Sequence, residues 1–276
     1  MTRFRPTNLF WLVSTNCNER CSKCHHWTRP AERNLVDPDE LVVLAENIDS
    51  LGEICITGGE PLLHRRALLR VISGVAGRGV RTVIVTNGCL LDSVFLDQIR
   101  DADVHIVVSI DTVNRDQWSF VRGRDSYDLV MANLRRASET LPSSGLSVQS
   151  VLARETLDQL PGVRVLCDEL GVFHSIQDYM QEGFDGEWTP LHPGETWVDP
   201  DQRCHAGGRT LSVMPDGTVY TCFQQSWIPG CERPVGQLGR DSASEILRSD
   251  YTSTVLDRMT ECRLPCRVLK CNQNSE

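Results

Sequence analysis

The strongest constraint on the fold is an alternation of short apolar runs with amphipathic segments between residues 8 and 180. Buried parallel strands are continuous apolar runs, and parallel neighbours need crossover helices between them. The pattern therefore predicts an α/β chain with a partial (β/α)6 barrel, whose site lies at the carboxyl ends of the strands. The predicted strands are Leu9–Ser14, Ile54–Thr57, Val80–Thr86, Val104–Ser109, Leu146–Leu152 and Phe173–Met180.

Helical patterns lie between the predicted strands, and the composition of the sequence changes after residue 180. Asp37 and Pro38 are a start signal for the first helix, with Glu40 completing a capping box, and further helices are predicted over 64–78, 92–101, 126–141 and 155–170. Residues 181–203 are rich in Gly and Pro and predict a linker. Residues 204–276 predict a small second unit, with a hairpin turning at Asp216-Gly217 and a helix over 243–259.

Charge and hydropathy narrow the class of protein. The formal net charge is −9, which disfavours a nucleic-acid surface, because such a surface needs a basic stripe. No run approaches the roughly 20 apolar residues of a membrane span, and no export signal precedes the first strand. We therefore expect a cytoplasmic protein that binds neither nucleic acid nor membrane. In a reducing compartment, clusters among its twelve cysteines favour metal binding over disulfides.

The first cluster, Cys17, Cys21 and Cys24, follows the first predicted strand. Three thiolates from one loop leave the fourth iron of a cubane cluster open to a small chelating molecule. A structural zinc site is the alternative, since His25 or His26 is available as a fourth ligand.

Polar motifs follow the next three predicted strands. They are Gly58-Gly59-Glu60, Thr86-Asn87-Gly88 and Ser109-Ile110-Asp111. Glycine permits close approach of a ligand to the backbone. Each motif taken alone is also typical of an ordinary turn or helix cap. Because the carboxyl ends of parallel strands share one edge, the motifs together predict a single site.

These motifs resemble those of the radical SAM superfamily. The resemblance implies that the cysteine loop holds a [4Fe–4S] cluster, which binds S-adenosylmethionine and generates a 5′-deoxyadenosyl radical that takes a hydrogen atom from the substrate. It implies that the Gly58–Glu60 segment binds the methionyl amino group, and that polar side chains at the next two strand ends approach the methionyl or ribose groups. The latter side chains are Thr86, Asn87, Ser109 and Asp111.

Further features of the resemblance concern two arginines and one lysine. Arg122 and Arg154 are candidates for the cofactor carboxylate, with an ordinary surface arginine as the alternative for each. Lys23 departs from the aromatic residue that the family often has before the third cysteine. A flavodoxin- or ferredoxin-type reductant is the implied partner.

The cysteines after residue 203 resemble the opening of a SPASM module, in the shortened "twitch" form. The resemblance implies a second, auxiliary [4Fe–4S] cluster held by Cys204, Cys222, Cys262 and Cys266, although Cys271 is able to replace one of them.

The remaining cysteines lead to predictions about the reaction. Cys55 and Cys167 are predicted to be small core residues, and Cys89 lies near the site without an assigned partner. Cys231 and Cys271 are surplus thiols, and either is a candidate hydrogen donor to a substrate radical. On that basis the predicted reaction is an epimerisation. The alternatives are alcohol oxidation through the auxiliary cluster, peptide maturation, for which no segment is left to build a leader-binding module, and a non-catalytic metal-binding protein.

The linker provides the prediction about the substrate. Residues 181–202 contain six carboxylates, no Lys or Arg, and Phe184, Trp188 and Trp197. Carboxylates pair with ammonium groups and aromatic faces pack on sugar rings, so we expect a small, cationic, sugar-like substrate of the aminoglycoside or aminocyclitol class. The alternative is a solvated acidic linker docked by its tryptophans.

Overall fold

The structure is a computed structural model and describes residues 4–24, 26–30, 32, 34–179, 188–190, 206–262 and 264. In this part of the chain one mixed sheet has the strand order β6-β5-β4-β3-β2-β1-β7-β8-β9. The strands are β1 (Asn8–Leu12), β2 (Glu53–Thr57), β3 (Arg81–Thr86), β4 (Val104–Ser109), β5 (Leu146–Leu152), β6 (Phe173–Asp178), β7 (Thr210–Val213), β8 (Thr218–Tyr220) and β9 (Gly236–Gln237). The first six are parallel, which confirms the predicted α/β class.

Helices connect the strands. They are α1 (Pro38–Glu46), α2 (Arg65–Val75), α3 (Ser93–Ile99), α4 (Arg115–Arg122), α5 (Tyr127–Thr140), α6 (Leu160–Leu170), α7 (Ala243–Arg248) and α8 (Asp250–Met259). The Asp37 carboxylate caps α1 as predicted, but it accepts from the amide of Asp39. Among the described residues, none of these helices combines the length and apolar character needed to cross a bilayer.

Two helical predictions were wrong in detail. The helix α4 was missed, although Asn114 caps its start and Gly123 ends it in the left-handed conformation. The single helix predicted over 243–259 is divided at Ser249, whose extended backbone and side chain cap α8. A serine cap competes well with helix continuation because it satisfies a free amide at the new start.

Alternation along the strands separates two faces of the sheet. In β2, Ile54 and Ile56 are completely buried in the main hydrophobic cluster, which they share with helix residues such as Leu68. Glu53, Cys55 and Thr57 point the other way and are partly exposed. Because successive side chains of a strand point to opposite faces, Glu53, Cys55 and Thr57 lie on the face of the sheet that is turned away from these helices. We call this the concave face.

The C-terminal hairpin extends the same sheet. Strand β7 pairs in parallel with β1, so that Asn8 lies opposite Thr210 and Trp11 opposite Val213. The turn at Asp216-Gly217 has the predicted conformation, with Gly217 at φ +84°. Strand β8 then runs back, and the Thr210 hydroxyl donates to the Thr221 carbonyl at 2.5 Å. Cys222 therefore lies near the amino end of β1, whereas Cys17 follows its carboxyl end.

Candidate active site

The cysteine loop lies at the carboxyl end of β1, and its three thiols are partly exposed. The Glu19 amide donates to Cys17 Sγ at 3.4 Å, and the Asn87 side-chain amide approaches the same sulfur at 3.8 Å. N–H donors of this kind stabilise a thiolate ligand. Burial raises the pKa of Cys17 to about 12 and that of Cys21 to about 11, so binding of iron must displace their protons.

The spacing of these thiols bears on the zinc alternative. Within the part of the chain that the structure describes, no three His, Cys, Asp or Glu side chains converge on the position of a single metal ion. A cubane cluster distributes its thiolates over separate irons, so its ligands are spread more widely than those of one zinc ion. Three thiols on one loop are the ligand type that an iron–sulfur cluster uses. His26 is buried, and His25 lies outside the described residues.

A buried ion pair attaches the loop to α4. Arg122 Nη1 lies 3.0 Å from Glu19 Oε2, and neither side chain is more than 2% exposed. Arg122 also donates to the Ser109 carbonyl at the end of β4, and Ser126 donates to Glu19 at 2.6 Å. Burial lowers the pKa of Arg122, but the neighbouring Glu19, Cys21 and Asp111 together outweigh this effect and the pKa is raised. This geometry gives Arg122 a protein carboxylate as its partner.

A second ion pair joins the loop to β4. Lys23 Nζ lies 2.5 Å from Asp111 Oδ2, and the other Asp111 oxygen accepts from the Val151 amide at 2.9 Å. The Trp188 ring lies 5.5 Å from the ammonium group, and its indole N–H donates to Ser22 at 2.8 Å. The lysine that departs from the family pattern therefore links two strand ends beneath a buried tryptophan.

The two glycines at the end of β2 pack against the loop backbone. The Gly59 amide donates to the Ser14 carbonyl and the Glu60 amide to the Asn16 carbonyl, both at 2.8 Å. A Cβ atom on Gly59 would lie 2.1 Å from the Asn16 oxygen and 2.4 Å from that of Thr15. Glycine is thus required here by the chain itself, in addition to any cofactor that approaches.

We expect Gly59→Ala to displace the cysteine loop. The added methyl group meets fixed backbone, so we predict a loss of about 1–3 kcal/mol in the free energy of unfolding and less iron per chain after reconstitution. Gly52→Ala is the matched control, because the nearest atom to its new Cβ is the Thr7 oxygen at 3.8 Å. Equal stability and iron content in the two variants would contradict the packing argument.

Glu60 joins the ends of β2 and β3. Its carboxylate accepts from the Thr86 hydroxyl at 2.7 Å, the Asn87 amide at 2.8 Å and the Leu62 amide at 3.0 Å. The side chain is completely buried, and burial raises its pKa despite these donors. The carboxylate therefore positions Thr86 and Asn87, and Asn87 in turn donates to Asn18 in the cysteine loop at 2.7 Å.

Replacing Glu60 by alanine is expected to weaken binding of S-adenosylmethionine without loss of iron. The change leaves buried donors of Thr86 and Asn87 unpaired, which costs about 1–3 kcal/mol of stability and loosens the strand end. Calorimetric titration with the cofactor, beside iron analysis, measures both effects. Thr86→Val, which removes one donor and keeps the carboxylate, should have the smaller effect; an unchanged affinity in Glu60→Ala would refute the assignment.

The other predicted cofactor residues differ in accessibility. The Ser109 side chain is partly exposed at the end of β4, and the Arg154 side chain is exposed after β5. The Arg154 amide donates to the Thr189 carbonyl, beside Trp188. Sequence reasoning missed Glu19 as a partner, although an acidic residue inside the cysteine motif was a visible signal.

The predicted auxiliary ligands are only partly described. Cys222 is partly buried against the main hydrophobic cluster, and Cys262 is buried within it. Cys204, Cys266 and Cys271 lie outside the described residues. Cys231 is completely buried in the same core, and the Gln225 side-chain amide donates to its carbonyl at 3.0 Å.

Sequence comparison decides the family. A profile of the radical SAM superfamily matches residues 11–163, which is more than half of the chain. The chain belongs to the radical SAM superfamily. A SPASM profile, described as an iron–sulfur cluster-binding domain, matches residues 204–272. Together, the radical SAM domain and the SPASM domain imply S-adenosylmethionine and two [4Fe–4S] clusters as cofactors.

Curated radical SAM relatives match over part of their length. The probable GTP 3′,8-cyclase of Methanococcus maripaludis strain C5 is 28% identical over 173 residues, which are 61% of this chain and 57% of the relative. The chain thus spans little more than half of that relative.

Solved structures confirm the fold. Streptococcus suis SuiB bound to S-adenosylmethionine has a TM-score of 0.72 at 14% identity, covering 92% of this chain and 68% of SuiB. BtrN in complex with AdoMet and 2-DOIA has a TM-score of 0.56 at 14% identity, covering 93% of this chain and 87% of BtrN. At such identities the similarity is one of fold.

Proposed function

We propose that this radical SAM enzyme oxidises an alcohol carbon of a small, polar, cationic ring compound to a ketone. The observation that carries the proposal is the complete burial of Cys231 in the C-terminal core. An epimerase needs a thiol that reaches the substrate radical, and a side chain packed in a core is unsuited to that role. Cys271, the other candidate donor, lies outside the described residues.

The positions of the two cysteine groups support oxidation. Cys17 follows the carboxyl end of β1, while Cys222 lies near its amino end, next to Thr210 of the paired strand β7. Five strand residues at about 3.3 Å each separate the two ends. A substrate on the concave face would lie between a radical source and an electron acceptor.

The concave face offers hydrogen-bonding groups for hydroxyls. Gln149 of β5 and Gln177 of β6 are partly exposed there and form a hydrogen bond of 2.6 Å with each other. Ser109 is on the same face of β4. Amides and hydroxyls donate and accept, which suits a polyhydroxylated ligand.

Charge favours a cationic substrate over a nucleoside triphosphate. The 181–202 segment has six carboxylates and no basic residue in a chain of net charge −9. A triphosphate would be repelled by such a segment, although curated relatives are named GTP 3′,8-cyclases.

The proposed oxidation balances in atoms and electrons. S-adenosylmethionine, when bound, supplies the 5′-deoxyadenosyl radical that takes the hydrogen atom of the C–H bond. The hydroxyl proton would leave to a base, and an auxiliary cluster held by Cys222 and Cys262, among other cysteines, would supply the acceptor for the remaining electron. The substrate thus loses two hydrogen atoms and becomes a ketone.

Epimerisation is the second candidate, and the position of Cys55 favours it. Sequence reasoning placed this residue in the core, but it is partly exposed on the concave face of β2, opposite Phe10 of β1. A thiol on that face is suited to return a hydrogen atom to a substrate radical. The donor in this version is Cys55 in place of Cys231.

Mass spectrometry in heavy water separates the two reactions. The reconstituted enzyme is incubated anaerobically with aminoglycosides or aminocyclitols, S-adenosylmethionine and dithionite. A product lighter by two hydrogen atoms supports oxidation, whereas a product of unchanged composition carrying one deuteron supports epimerisation. Turnover of GTP or of a peptide in parallel reactions, with none of the amino sugars consumed, would overturn the substrate class.

Two cysteine variants complete the design. If oxidation is correct, Cys55→Ala should give the same ketone as the wild type. If epimerisation through Cys55 is correct, the variant should form 5′-deoxyadenosine but lose deuterium incorporation. Cys167→Ala, in the buried face of α6, is the matched control for removing a thiol.

A further inference from the structure

Three exposed side chains cover the outer side of the cysteine loop. The Trp27 indole N–H donates to the Cys21 carbonyl at 3.4 Å, and the Arg20 guanidinium lies 5.8 Å from the Trp27 ring centre. Arg124 Nη1 donates to the Asn18 carbonyl at 2.6 Å. Trp27 is 38% exposed, and both arginines are exposed. We call these three residues the Arg20–Trp27–Arg124 surface.

The charge of this surface is opposite to that of the whole chain. Neither Arg20 nor Arg124 forms an ion pair with any residue that the structure describes, whereas the surface arginines Arg70 and Arg100 pair with aspartates. The loop carboxylate Glu19 is buried against Arg122, so it does not neutralise the surface.

One exposed carboxylate lies nearby. Asp125 follows Arg124 in sequence and offsets one of the two positive charges. Asp128, further along, pairs with Arg115. The surface therefore keeps a net positive charge next to an exposed aromatic ring, on a protein of net charge −9.

Reductive cleavage of S-adenosylmethionine consumes one electron, which a radical SAM chain must receive from outside. Electron-transfer contacts between proteins are small and transient, and complementary charge sets their association rates. A carrier seated on this surface would contact side chains that are hydrogen-bonded to the backbone of Asn18 and Cys21.

We propose that the Arg20–Trp27–Arg124 surface docks an acidic one-electron carrier protein. The carrier loses one electron and the group held by the cysteine loop gains it, with no transfer of atoms. The proposal rests on the radical SAM chemistry of the family and is independent of the substrate.

The test uses the reconstituted full chain and flavodoxin, an acidic carrier, as the probe. We expect Arg20→Glu/Arg124→Glu to weaken binding of oxidised flavodoxin about tenfold or more, which corresponds to about 1.4 kcal/mol. Wild-type binding should also weaken between about 0.05 and 0.5 M salt, because screening shortens the range of the charges. Arg100→Glu, at the far end of α3, is the matched charge-reversal control and should bind like the wild type.

The functional readout is 5′-deoxyadenosine formed without substrate. With flavodoxin hydroquinone as reductant, the double variant should be slowed about tenfold, in proportion to its lost affinity; with dithionite it should match the wild type. Equal binding by the double variant and Arg100→Glu would overturn the proposal. So would an equal loss of rate with dithionite, shared by the milder Arg20→Gln/Arg124→Gln, because it would show that the arginines only support the loop.

Discussion

Replacing Cys17, Cys21 and Cys24 together by alanine is expected to abolish formation of 5′-deoxyadenosine. These thiols share one loop at the end of β1, beside Gly59 and Asn87, and no other loop after a parallel strand holds three described cysteines. The auxiliary site uses other cysteines, so the variant should keep about half of the wild-type iron. Iron analysis and chromatography of the nucleoside products after reduction measure both results.

The control for this experiment is Cys167→Ala. That thiol is completely buried in α6, and its removal tests the effect of losing a cysteine as such. It should leave cofactor cleavage intact. Retained cleavage in the triple variant would contradict the assignment of the loop, and a complete loss of iron would contradict an independent second cluster.

Breaking the Glu19–Arg122 pair is expected to cause the largest loss of stability. Arg122→Met leaves the Glu19 carboxylate buried without its cation, which costs about 3–5 kcal/mol. Arg115→Met in the same helix removes an exposed pair with Asp128 and should cost at most about 1 kcal/mol. Denaturant unfolding of the two variants, beside the wild type, measures the difference.

The double variant makes the experiment decisive. Glu19→Gln/Arg122→Met removes both charges and should recover much of the lost stability. If the two residues acted independently, the stability losses of the two single variants would instead add in the double variant. If Arg122→Met is as stable as the wild type but binds S-adenosylmethionine weakly, Arg122 holds the cofactor carboxylate, as the family resemblance implies. Arg122→Lys, which keeps the charge, provides a folded reference should Arg122→Met fail to fold.

The six barrel strands were predictable because their signal is local. A run such as residues 104–109 alternates buried and partly exposed side chains, and the apolar pattern in the sequence is a direct consequence. The cysteine loop was predictable for the same reason, since its ligands lie within eight consecutive residues. Helix α4 was missed because its composition is polar, although Asn114 and Gly123 at its two ends are residue types typical of helix caps.

The partners of the buried charges were not predictable from sequence. Glu19 and Arg122 are 103 positions apart, and Lys23 and Asp111 are 88 apart. Such pairs depend on which strand ends become neighbours, and many other carboxylates and cations were equally available. Sequence therefore predicted Asp111 and Arg122 as site residues, whereas their charge partners in the cysteine loop became visible only in the fold.

The pairing of β7 with β1 has a consequence for folding. Thr7 contacts Arg209 across 202 positions, so the outer edge of β1 gains its neighbour only after most of the chain has been synthesised. Until then an apolar strand that includes Leu9 and Trp11 presents unpaired amides and carbonyls, which is the usual starting point for edge-to-edge aggregation. Forms shortened before residue 210 should therefore be prone to aggregate, and the nascent chain is a natural client for chaperones that shield exposed strands.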